Sequence, residues 1–158
     1  MKRKQKGFSL IELLIVTAII LIIAAIALPN LMIARMSANE ASAVESLRTI
    51  QTAETEYAAT YPNLGYSATL ADLGGASSSL CVASSTQACL IDNLLASGAK
   101  SGYTITWVGD GFIPSVSYNL NADPIVRGSS GRRSFYTNMP GVIRYSDTGA
   151  ANATDPVI

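Results

Sequence analysis

Glu12 has the setting in this chain that most demands a chemical explanation. It heads a run in which, from Leu13 to Pro29, Thr17 is the only polar side chain. A carboxylate in such a run costs about 2.5–3.5 kcal/mol at the middle of a bilayer-spanning helix and less near its end. A cation must neutralise it. Phe8 stands four residues earlier, on the same face of a helix. Cutting the chain after Gly7 turns the Phe8 nitrogen into a positive α-amine, which can neutralise Glu12 in its own chain or in a neighbour packed alongside. Lys2, Arg3, Lys4 and Lys6 precede the junction, and the positive-inside bias places this basic leader in the cytoplasm and the C-terminal bulk outside.

The remaining candidates are few. There is no histidine, which excludes a histidine triad, a histidine-ligated metal and a c-type haem. Cys81 and Cys89 fall in the part placed outside the membrane, where oxidation is allowed. A disulfide between them closes a nine-residue ring and is worth roughly 2.5 kcal/mol; a thiol site and a metal pair are the alternatives. Glu54 and Glu56, two apart, point to different helix faces and read as solvated charge. Asp110, Asp123, Asp147 and Asp155 sit in turn-like or tail-like contexts. No phosphate loop, nucleophile elbow or metal-spaced ligand set is present, so the expectation is a non-enzyme with no cofactor, metal or small-molecule substrate.

At the level of elements, the apolar run approaches the roughly 20 residues a bilayer requires. An ordinary secretory signal cut after Ala27, or a plain membrane anchor, suits the run as well, but neither accounts for Glu12. The pattern then turns amphipathic: Ala41, Val44, Leu47, Ile50, Ala53, Tyr57 and Tyr61 recur at spacings of three and four. Pro62 ends the helix by displacing Tyr61 from helical geometry, and Pro29 inside it removes a donor, predicting a kink or local unwinding. Residues 62–102 are rich in Ser, Ala and Gly and read as a surface loop, with one or two helical turns from Cys89 to Ala96 ending at Gly98. Beyond Gly102 the period becomes two. Tyr103–Val108 and Ile113–Leu120 form one hairpin, Asn121–Pro124 breaks the pattern, and Ser134–Thr137 with Val142–Tyr145 forms a second. The expected fold is α+β, a long helix on a four-stranded antiparallel sheet, followed by an extended, partly mobile tail from Gly149 to Ile158. Asn152-Ala153-Thr154 fits the N-glycosylation sequon, and Ser77, Ser78, Ser79 and Ser84 are exposed candidates for O-linked sugar.

Gly7-Phe8-Ser9-Leu10-Ile11-Glu12 resembles the leader signal of the type IV pilin family, which includes the pseudopilins of type II secretion. With the apolar run and Pro29 the likeness extends over about the first third of the chain. It implies a cleaved leader at 1–7, a membrane anchor and filament core at 8–33, and a head at 34–158, made of a helix half at 34–61, a loop at 62–102 and a sheet with its tail at 103–158. It further implies cleavage after Gly7 by a prepilin peptidase, N-methylation of Phe8, and pairing of Glu12 with a neighbour's Phe8 amine. Many relatives carry a glycine where this chain has Leu21, near the centre of the stretch that unwinds toward Pro29 on assembly. The implied function is a structural major subunit of an extracellular type IV pilus, supporting adhesion or motility. Its implied partners are other copies of itself, an assembly platform with its ATPase, and the inner membrane as a single-pass precursor. A type II secretion pseudopilin and a minor pilin that binds DNA or a surface are the alternatives. Loss of residues 1–7 leaves seven Lys and Arg against 11 Asp and Glu, and a side-chain charge of −4 gives no footprint for nucleic acid. Arg127, Arg132, Arg133 and Arg144 could form a basic patch or could contact Glu40 and Glu45 of other subunits.

Overall fold

The computed structural model describes residues 8–75 and 81–158. The chain divides into two compact units at the Arg35–Met36 boundary, and helix α1 (Leu10–Thr60) contributes to both.

In the first unit, every described residue up to Arg35 is exposed except the half-buried Ala24. Two of its polar side chains bond back to their own helix. Thr17 Oγ1 donates to the Leu14 carbonyl at 3.0 Å, and Asn30 Nδ2 donates to the Ile26 carbonyl at 3.3 Å. An apolar helix that satisfies its polar groups internally is what a lipid or protein interior accepts. Pro29 lies within α1, which continues as helix on both sides of it.

In the second unit, α1 buries Met36, Glu40, Ala43, Leu47, Ile50, Glu54 and Tyr57, spaced alternately by four and three along one stripe. Ala43, Leu47, Ile50, Ala53 and Tyr57 pack with Tyr103, Ile105, Leu120, Ala122 and Phe135 of the sheet in one core. The stripe is rotated from the sequence expectation: Ala41 is exposed and Val44 half-buried, while two glutamates lie inside it.

The sheet has five strands where four were expected, in the order β1 (Ala99–Lys100), β2 (Tyr103–Gly109), β3 (Tyr118–Pro124), β4 (Ser134–Asn138) and β5 (Arg144–Ser146), each antiparallel to the next. The added β1 is two residues long, too short to show a period. It turns into β2 through Ser101 and Gly102 at φ +50° and +74°, the left-handed pair that a tight hairpin turn needs. The second expected hairpin, around Asn138–Gly141, is present as β4 and β5. The strand after β2 starts at Tyr118, not Ile113, because the Asp110 carboxylate accepts the Phe112, Val116 and Ser117 amides at 3.1, 2.9 and 3.0 Å and folds the intervening residues into a closed loop. The break expected at Asn121–Pro124 is instead strand: Ala122 and Asp123 pair with Ile105 and Thr104.

Between helix and sheet run a 3-10 turn (Leu70–Leu73) and α2 (Asn93–Ala96), whose N-terminus is capped by Asp92 accepting the Leu95 amide at 2.8 Å. The tail is tied down where mobility was expected. Tyr145 N–H donates to the Pro156 carbonyl at 2.9 Å, Ile158 N–H donates to Ile143 at 3.2 Å, and Val157 bridges to Arg144. These bonds cover the open edge of β5.

Candidate assembly segment and head sites

Phe8 is largely exposed, with 77% of its surface accessible. Four residues on, Glu12 Oε2 accepts the Ser9 amide at 2.9 Å, in the first turn of α1, where a carboxylate also complements the helix dipole. Among the described residues no ion pair includes Glu12. Gly7 lies outside the described residues. From Leu10 to Ile33 the large apolar side chains are exposed, and this part of α1 is long and apolar enough to cross a membrane.

In the head, Cys81 and Cys89 form the expected disulfide. The ring they close carries a small turn in which Ser84 and Gln87 exchange backbone bonds of 3.0 and 3.1 Å. Tyr57 anchors it to α1 by donating its hydroxyl to the Ser85 carbonyl at 2.6 Å. Ser84 is exposed within this ring; Ser77, Ser78 and Ser79 lie outside the described residues. Asn152 is exposed too, and its Oδ1 accepts the Thr154 amide and hydroxyl at 2.9 and 2.6 Å.

Two buried carboxylates were not anticipated as head-forming groups. Glu54, expected to be solvated, is fully buried. Its Oε1 accepts the Ser67 hydroxyl and Trp107 Nε1–H, both at 2.6 Å, and its Oε2 accepts the Ser67 amide at 2.9 Å. Burial pushes its pKa above the ordinary 4.5, against the pull of those three donors. Glu40 is buried beside the sheet. Its Oε1 accepts the Arg132 and Arg133 amides at 2.9 and 3.2 Å, and its Oε2 accepts Arg133 Nε at 2.8 Å. Burial works to raise its pKa as well, yet these bonds prevail and hold it below 4.5. The signal for both was available: Glu40 and Glu54 keep the four-and-three spacing of Ala43, Leu47, Ile50 and Tyr57.

The comparisons with known proteins converge on the N-terminal segment. Residues 2–28 match the family described as the prokaryotic N-terminal methylation motif. Over 38 residues the chain is 63% identical to the type IV wide pilus major component PilA4 of Thermus thermophilus. Over this segment the chain carries the N-terminal methylation motif and is similar to a type IV pilin. The match covers 24% of this chain and 29% of that relative, so the chain spans less than a third of the relative's length. No solved structure matches. Among the described residues, three of the four arginines are engaged within the chain. Arg133 pairs with Glu40 of its own chain and stacks over Phe135 and Tyr145 at 5.6 and 5.4 Å. The Arg127 guanidinium bonds Ser134 Oγ and the carbonyls of Arg132, Asp147 and Gly149. Arg144 donates to the Asp155 carbonyl at 2.7 Å. Glu45 meets Arg48 at 3.9 Å on the exposed face of α1.

Proposed function

We propose that the chain is the major structural subunit of a type IV pilus, polymerising through the apolar half of α1, and that it is not an enzyme. The observation that carries this reading is the exposed apolar surface from Phe8 to Ile33, none of whose described residues belongs to the buried core of the second unit. Such a surface needs lipid before assembly and other copies of the chain afterwards. The precursor sits in the inner membrane with its basic leader in the cytoplasm, and a prepilin peptidase cuts after Gly7. The Phe8 amine is then methylated and meets Glu12 of a neighbour. The assembly platform and its ATPase draw the subunits into a surface filament, in which Pro29 marks the point where α1 yields. Ser84 and Asn152, both exposed, are candidate positions for sugar, as are Ser77, Ser78 and Ser79 by sequence.

Intact mass of the chain recovered from cells tests the processing steps: a mature terminus at Phe8 carrying one methyl group is expected, and one at Met1 or Leu28 overturns them. Electron microscopy of sheared surface material tests the role. Long filaments made chiefly of this chain are expected, whereas their absence favours a secretion pseudopilin or a minor pilin.

A further inference from the structure

The filament reading leaves a cavity of the head without a task. It measures about 330 Å3 and is lined by Tyr57, Tyr66, Trp107 and Phe112, with Ser67 at its polar side. That size falls near the lower end of ligand sites, roughly 300–1,000 Å3. No lysine or arginine lines it. The charges around it are acidic: Glu54 is bonded to Ser67 and Trp107, and Asp110 is flanked by the lining residues Gly109 and Gly111. Among the described residues Glu54 takes part in no ion pair, so its negative charge is met only by neutral donors.

Trp107 links that charge to the cavity. Its indole N–H donates to Glu54 Oε1 at 2.6 Å, and a carboxylate pulling on this proton shifts electron density into the ring and strengthens its attraction for cations. Gly109 leaves the indole its place, because a Cβ there would collide with the ring. Phe112 and Ile113 are 71% and 81% exposed and offer apolar surface at the cavity that a purely hydrophilic ion would not use. Aromatic walls, acidic charge and the lack of a competing internal cation together define one ligand chemistry. We propose that this cavity binds an organic ammonium ion with apolar surface, of the quaternary or N-methylated alkylamine class, through cation–π contact with Tyr66, Trp107 and Phe112 and the field of Glu54. The ligand is held there and not chemically changed.

Choline is the probe, titrated into the full-length chain in a non-ionic maltoside detergent. Emission from Trp107, the single tryptophan, is the readout. The control is 3,3-dimethylbutan-1-ol, a neutral analogue with carbon in place of nitrogen. A saturable change is expected with choline and binding at least about tenfold weaker with the alcohol. Phe112→Ala removes an exposed ring that the fold does not need, and should weaken choline binding at least about threefold while leaving thermal unfolding in place. Equal affinity for choline and the alcohol overturns the proposal, since the cavity would then be an apolar groove without charge preference. So does the absence of a saturable change up to about 0.1 M, or choline binding untouched by Phe112→Ala.

Discussion

Glu54 holds three donors at one point between α1, the Ser67 loop and β2, so its loss strands all three together. Glu54→Leu should destabilise the head by about 3 kcal/mol, since each buried donor left without an acceptor costs roughly 1–3 kcal/mol. Denaturant titration followed by Trp107 emission measures this, and an unchanged midpoint would contradict the keystone role. Glu40 gives a pH prediction. Its pKa lies below 4.5, so its contribution is complete above 4.5 and is lost as pH falls through the folded value. Glu54 has the opposite sign: with its pKa raised, the native state binds the proton more tightly, and stability rises as pH falls toward 4.5. Glu40→Gln should therefore lower Tm at neutral pH and flatten the loss of Tm in acid; melting curves across the carboxylate range check it, and curves parallel to wild type would refute it. Neither glutamate was read correctly from residue type, because glutamate on a helix is ordinarily solvated. What decides their burial is the arrival of Ser67, Trp107, Arg132 and Arg133 from distant parts of the chain.

Long α1 and the second hairpin were legible because their periods extend over many residues or frame a strong turn. The two-residue β1 and the late start of β3 were not, since each depends on a local bond network that alternation does not encode. Asp110 shows why. Its Val116 and Phe112 amide bonds hold its pKa down to about 2, and they convert apolar residues that read as strand into a loop. Gly65 shows a second illegible feature, a close approach. It bridges to Ser115 at φ +74°, and a Cβ there would strike the Ser115 carbonyl. Gly65→Ala should cost about 2 kcal/mol, whereas Gly149→Ala, with open space around its Cβ position, should stay within about 0.5 kcal/mol. Thermal melts of the pair provide the comparison, and equal effects would mean that the approach at Gly65 relaxes freely.

For the whole molecule, under the proposed function the division at Arg35–Met36 separates the requirements of assembly from those of the head fold. Glu12→Gln and Glu12→Ala should each reduce filament formation at least about tenfold, because an unpaired amine in an apolar core is costly, while the Tm of the head is unchanged. Filament yield and head melting, measured on the same cells, separate the two effects; normal yield in both variants would remove the charge-pairing argument. In the sequence an apolar run gives way to an amphipathic one near this division. The closing of the head by its tail was not legible, because residues 149–158 carry no period. That closure bears on the order of events during synthesis. Asn39 bonds Ser130, Glu40 bonds Arg133 and Gln51 bonds Thr137, across 91, 93 and 86 residues, and the β5 edge waits for residues 156–158. The head half of α1 therefore stays without these partners until residues 130–137 have emerged. A head closed by contacts so distant in sequence is expected to fold late in synthesis, its apolar stripe on α1 unprotected until then.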